Sequence, residues 1–164
     1  MGLLIDGFNL IYKFPELEGF MYAGKLNEAR NGLLGILKEY HDIKPGGIRI
    51  VFDGKRNQGD QTYQERVGGF DIYYSHDYSA DYLIKEFVKN DLNPRMITVV
   101  TSDNDIISYV VRFRAQTIKS EAFAEQINAA IAKHRGVKEP EKETNPSLTD
   151  EDISYWEELF KNRP

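Results

Sequence analysis

Short apolar runs that each stop at a turn or acidic residue, with helically spaced stretches between them, constrain this chain more than any other feature. Gly2 to Ile5 closes on Asp6-Gly7, Ile48 to Phe52 on Asp53-Gly54, Phe70 to Tyr74 near Ser75, and Met96 to Thr101 on Ser102-Asp103; Gln116 to Ile118 is a weaker fifth run. Unbroken runs of this length read as strands buried on both faces. Between them, Leu26, Ala29, Leu33, Leu37 and Tyr40 recur on one helical face, as do Ala80, Leu83, Ile84, Phe87 and Val88. A shorter helix is expected after Ser102, carrying Ile106, Ile107 and Val110, and another after Ser120, carrying Phe123, Ile127, Ala130 and Ile131. Strand and helix alternate, which indicates a doubly wound α/β domain with a mostly parallel sheet.

With 164 residues, 41% of them apolar, the chain has material for one core. Residues 1–135 read as that domain. Residues 136–148, rich in Lys, Glu and Pro, read as a charged linker, and residues 149–164 as a last amphipathic helix. In that helix Thr149 and Asp152 resemble a capping box, and Ile153, Trp156 and Phe160 share a face. No run approaches the roughly 20 apolar residues of a membrane span, and the N-terminus lacks the pattern of a secretory leader, so a cytoplasmic protein is expected. The absence of cysteine agrees with a reducing compartment and removes thiol nucleophiles and cysteine-ligated metals. Lys and Arg number 21 against 26 Asp and Glu, a net charge of −5, so no global basic footprint drives non-specific nucleic-acid binding. No G-x-G-x-x-G or G-x-S-x-G pattern occurs, and Gly32 and Gly35 fall inside a helical pattern.

In open parallel sheets ligands bind beyond the carboxyl ends of the strands, above all where strand order reverses. The acids gather at that edge. Asp6 closes the first run, Asp53 the second and Asp103 the fourth, with Asp105 two residues on; Asp81 opens the helix after the third run, and Asn9 lies one turn beyond Asp6. Unpartnered carboxylates brought together repel one another unless a cation neutralises them, and hard oxygen donors select Mg2+ or Mn2+. Each acid also has a plainer reading. Asp-Gly suits a tight turn, Asp81 suits the positive end of a helix, and Asp105 suits the first turn of a helix capped by Ser102. Those readings leave unexplained why four strand ends or helix starts at one edge all carry Asp. His41, His76 and His134 are scattered, which disfavours zinc; His76 alone falls near the proposed site. Lys13, and Lys55 and Arg56 in a polar loop running to Arg66, are candidate phosphate contacts, and Tyr12, Tyr63 and Tyr78 candidate base-stacking residues.

The segments Leu4-Ile5-Asp6-Gly7-Phe8-Asn9-Leu10-Ile11, Val51-Phe52-Asp53, Ser79-Ala80-Asp81 and Thr101-Ser102-Asp103-Asn104-Asp105 resemble, in order and spacing, the NYN group of PIN-like nucleases, and within it the YacP-like branch. The similarity runs over most of residues 1–134. It implies a PIN-like three-layer α/β/α fold around a mostly parallel five-stranded sheet of order 3-2-1-4-5. It implies a metal-dependent endoribonuclease that leaves a 5′-phosphate, with Mg2+ or Mn2+ as cofactor and RNA, mRNA included, as substrate, with or without the ribosome as partner. Position by position, it implies that Asp6, Asp81 and Asp103 are catalytic acids that hold metal, that Asp105 is an outer metal residue, and that Asn9 and Asp53 line the pocket. Phe8 departs from the pattern, since relatives often carry Tyr there. A non-catalytic adaptor that binds RNA or ribosomes through the same surface is the alternative, because such folds also serve as inactive scaffolds. An aspartyl-phosphate phosphatase is disfavoured, because Asp6-Gly7-Phe8-Asn9 lacks an acid two residues after the first.

Overall fold

In the computed structural model, which describes residues 2–54, 63–75 and 78–136, the chain alternates strand and helix. The order is β1 (Gly2–Asp6), α1 (Gly7–Ile11), α2 (Pro15–Tyr22), α3 (Leu26–Ile43), β2 (Gly47–Asp53), β3 (Tyr63–Val67), β4 (Phe70–Ser75), α4 (Ala80–Lys89), β5 (Ile97–Val100), α5 (Asn104–Val111), β6 (Gln116–Ile118) and α6 (Ser120–His134). A 3₁₀ turn over Pro94–Met96 leads into β5. Along the strands, side chains split between two helical layers with the period of two that a pleated strand imposes. Ile5, Ile48, Ile50, Phe52, Phe70, Ile72 and Val100 pack under α1, α2, α3 and α6. Leu4, Val51, Ile97 and Val99 face α4 and α5. The result is a three-layer sandwich, and no described helix is long and apolar enough to cross a membrane.

The sheet runs β3-β4-β2-β1-β5-β6. Its five parallel strands, taken in chain order, have the expected order 3-2-1-4-5. The expected strand count is corrected to six by β3, an antiparallel edge strand paired with β4 from Tyr63↔Tyr74 to Val67↔Phe70. Its sequence, Tyr-Gln-Glu-Arg-Val, is too polar to read as a buried run, and the polar loop expected to reach Arg66 therefore ends before Tyr63. The turn signal was nonetheless present: Gly68 and Gly69 adopt φ of 61° and 89°, the left-handed pair that closes a two-residue hairpin. Arg66 and Asp71, opposite each other, form a 2.8 Å ion pair across the hairpin.

A second correction concerns Asp6-Gly7, which is not a turn but the start of α1. Gly7 is needed there for space: a Cβ would lie 2.5 Å from the Phe52 ring and 3.0 Å from the Val51 carbonyl oxygen. That close approach lets α1 lie directly over β2. Lys55, Arg56, His76, the linker 136–148 beyond Gly136 and the helix expected over 149–164 lie outside the described residues.

Candidate active site

Strand order reverses between β1, paired with β2 on one side and β5 on the other, and the chain's acids meet beyond that point. Asp6 is the last residue of β1 and Asp53 the last of β2, while Asp103 directly precedes α5 and Asp81 sits in the first turn of α4. With Phe8, Asn9, Tyr12, Ser79, Ala80 and Ile106 they line a single pocket of about 290 Å³. Local sequence explains each placement. Ser79 caps α4 by accepting from the Tyr82 amide at 3.0 Å, which sets Asp81 on the pocket side. Asp103 caps α5 by accepting from the Asp105 amide at 2.8 Å. The cap is thus Asp103 rather than the expected Ser102. Ser102 Oγ instead accepts from the Ser120 amide at 3.1 Å and donates to Glu121 Oε1, holding that carboxyl below its ordinary pKa.

Asp6 is the acid most altered by its surroundings. Burial, followed by the negative charges of Asp103, Asp81 and Asp53, pushes its pKa up to about 6, against a hydrogen bond from Thr101 Oγ1 at 2.8 Å that acts in the opposite sense. Asn9 is tied down by its oxygen: Oδ1 accepts from the Ser102 amide at 2.9 Å and from Ser120 Oγ at 2.6 Å. Both partners donate there, so the atom they meet is the oxygen, and Nδ2 remains a donor with no partner among the described residues. Asp53 Oδ1 accepts more weakly from Ser75 Oγ at 3.4 Å.

Asp105 lies apart from the pocket lining. Its Oδ2 pairs with Lys85 Nζ at 2.5 Å, and its side chain is 73% exposed. Lys13 is exposed at the end of α1, close enough to Glu121 for its charge to be felt there. Tyr12 lines the pocket, Tyr78 stacks on Tyr82 with ring centroids 4.8 Å apart, and the Tyr63 side chain is outside the described residues.

All acidic donors of the pocket are carboxylate oxygens, the donor type a hard divalent cation takes. Among the described residues no three His, Asp or Glu side chains stand close enough to hold an ion as they are. The carboxylate oxygens of the lining suit Mg2+ or Mn2+ held by one or two of them and completed by water, rather than a closed all-protein cage. Along the sequence, the family model of the YacP-like NYN domain matches residues 3–161. The chain belongs to the YacP-like NYN domain family. The NYN domain also superposes on two crystal structures of Rae1 (YacP) from Bacillus subtilis. One is of a tryptophan-to-leucine mutant, at TM-score 0.65 and 20% identity, and the other superposes at TM-score 0.62 and 22% identity; each match covers 98% of this chain and 91% of that one. At such identity the likeness is one of fold. No curated protein matches the sequence.

Several residues of this NYN domain that shape the pocket escaped the sequence reading. Thr101, fully buried, joins Asp6 to the Asp103 amide, which donates to Thr101 Oγ1 at 3.1 Å. Ser120, also fully buried, anchors Asn9. Lys85 bridges Asp81 and Asp105. Arg30 lies within 6 Å of the ring centres of Phe8, Phe52 and Tyr74, putting a guanidinium behind the pocket's Phe8 wall. Of these, only the Asp81 to Lys85 spacing of four residues carries a local signal, and that spacing is common on any solvated helix.

Proposed function

We propose that this protein is a metal-dependent endoribonuclease that hydrolyses RNA phosphodiester bonds in the cytoplasm, with Asp6, Asp81 and Asp103 holding Mg2+ or Mn2+. The observation that carries the reading is the meeting of Asp6, Asp53, Asp81 and Asp103, from four separate segments, around one pocket at the sheet's reversal point. Structure alone does not reward such a cluster, since burial, and after it the like charges around it, raise the Asp6 pKa to about 6. Bound there, a divalent cation supplies charge neutralisation at the phosphate and activation of water. The chain's own groups do the rest. Asn9 Nδ2 offers a donor to a phosphate oxygen, the exposed Asp53 can orient water, and Phe8 and Tyr12 give faces against which a base can stack. Lys13, Lys55 and Arg56 are proposed to grip the backbone, and mRNA, free or on the ribosome, is the substrate the family resemblance favours.

The test is cleavage of 5′-labelled RNA by the full chain in Mg2+ or Mn2+, with and without ribosomes, against EDTA and against Asp6→Asn and Asp103→Asn. Cation-dependent cleavage leaving 5′-phosphates, lost by about 100-fold or more in both variants, is expected. Unchanged rates in both variants overturn the assignment.

One observation favours the adaptor reading instead: Asp81, one of the three acids assigned to the ion, already pairs with Lys85 at 2.9 Å. An adaptor keeps its RNA affinity in EDTA and in Asp6→Asn, and cleaves under no condition.

A further inference from the structure

Lys85 stands one helical turn beyond Asp81, just outside the pocket wall. Its ammonium is 2.9 Å from Asp81 Oδ1 and 2.5 Å from Asp105 Oδ2, and 5.3 Å from the centre of the Tyr109 ring. The side chain is 20% exposed, whereas Lys38, in its own i,i+4 pair with Asp42, is 54% exposed. Two carboxylates and a ring face therefore fix one ammonium between α4 and α5. Among the described residues, Asp81 is the one pocket acid in an ion pair. Its partner, moreover, has a second carboxylate within reach, Asp105, which does not line the pocket.

We propose that Lys85 is a built-in counter-cation that restrains divalent-ion binding by holding Asp81, and that Asp105 eases the restraint by drawing the ammonium toward itself. This rests on the nuclease reading in taking Asp81 as an ion-holding acid. A dication and an ammonium on the same carboxylate repel each other, so the incoming ion must share Asp81 or displace Lys85. Displacement from Asp81 leaves the lysine paired, because the bond to Asp105 persists. Two acids thus compete for one ammonium, and Asp105 acts on the site through Lys85 rather than by touching the ion. Lys85 and Asp105 are positioning residues in this scheme.

The experiment is calorimetric titration of the full chain with Mn2+ alone, comparing the wild type with Lys85→Met, Asp105→Asn, the double variant and Asp6→Asn. Lys85→Met is expected to bind Mn2+ at least about tenfold more tightly, and Asp105→Asn severalfold more weakly. The double variant loses one positive and one negative charge, so its net charge equals that of the wild type; it is expected to bind as tightly as Lys85→Met. A double variant back at wild-type affinity shows that only net charge counts and overturns the proposal. Lys85→Gln, which keeps an N–H without the charge, guards against a folding defect in the methionine variant and must follow it. Tight binding by Lys85→Met where the wild type binds nothing supports the restraint in its strongest form. If all Lys85 and Asp105 variants bind like the wild type while Asp6→Asn does not bind, the restraint is wrong and the ion site stands. If no form binds Mn2+, both fall.

Discussion

Thr101 Oγ1 donates to Asp6 Oδ2 at 2.8 Å and accepts from the Asp103 amide at 3.1 Å, so one buried hydroxyl couples the two acids that flank the sheet's reversal point. This bond lowers the Asp6 pKa, but burial and neighbouring negative charge outweigh it and leave the value at about 6 against an ordinary 3.8. The native state therefore binds the proton more tightly than the unfolded chain. Stability from this group is full below about pH 4 and is lost as pH rises toward 6. A shift of that size corresponds to about 3 kcal/mol at neutral pH. In EDTA, Asp6→Asn is expected to match the wild type near pH 4 and to exceed its stability by up to about 3 kcal/mol above pH 6. Urea unfolding of both proteins across pH 4 to 8 checks this, and a difference that does not grow with pH contradicts it.

In the proposed nuclease Asp103 has two separable roles. As the N-cap of α5 it needs an oxygen acceptor, and as a pocket acid it needs its charge. Asparagine keeps the first and loses the second, and alanine loses both. Asp103→Asn is expected to stay within about 0.5 kcal/mol of the wild type in stability, and Asp103→Ala to lose about 1 kcal/mol. RNA cleavage is expected to vanish in both. A cleavage assay run beside the unfolding curves separates the roles, and cleavage retained in the asparagine variant refutes the second.

Four of the parallel strands were legible because each is an apolar run bounded by turn residues, whereas β6, Gln-Thr-Ile, gave only a weak signal; the four acids were legible because three close such runs and Asp81 opens a helix at the same edge of an α/β sheet. What was hidden has physical causes. Strand β3 is a polar edge, stabilised by the Arg66–Asp71 ion pair and the bond from Tyr74 OH to Glu65 at 2.9 Å rather than by burial, so hydrophobicity could not reveal it. Helix α1 starts on a dipeptide that more often makes a turn, and Gly7 serves it through close packing against Phe52. In α2 Leu17 is the one buried residue, which leaves Pro15 at its first turn as the main local sign. The pairing of Lys85 with Asp105 joins residues 20 positions apart on separate helices, a contact only the fold creates.

Asn9 joins α1 to the loop before α5 and to the start of α6, through a single oxygen that accepts bonds from the Ser102 amide and the Ser120 hydroxyl. Asn9→Ala strands the Ser102 amide and the fully buried Ser120 hydroxyl together. The expected loss is about 2 to 3 kcal/mol, beyond that of an ordinary exposed hydrogen bond. Amide exchange should quicken at Ser102 in the same variant. An unfolding midpoint equal to that of the wild type shows that water replaces the side chain at no cost.

Gly7 bears on both fold and site, because its neighbours Asp6 and Phe8 both line the pocket. A methyl group at position 7 meets the fully buried Phe52 ring at 2.5 Å and the backbone oxygen of Val51 at 3.0 Å. The ring can yield only into the packed layer beneath α3, and the carbonyl belongs to the sheet. Gly7→Ala is expected to cost about 1 to 3 kcal/mol by overpacking, and to displace α1 enough to weaken Mn2+ binding at Asp6. Phe52→Leu, which removes the ring from the contact, should recover part of the stability when combined with Gly7→Ala although it is destabilising alone. A double-mutant cycle measures that coupling. Strictly additive losses would show that the strain lies elsewhere, at the Val51 carbonyl, and that the ring is not what excludes a side chain from position 7.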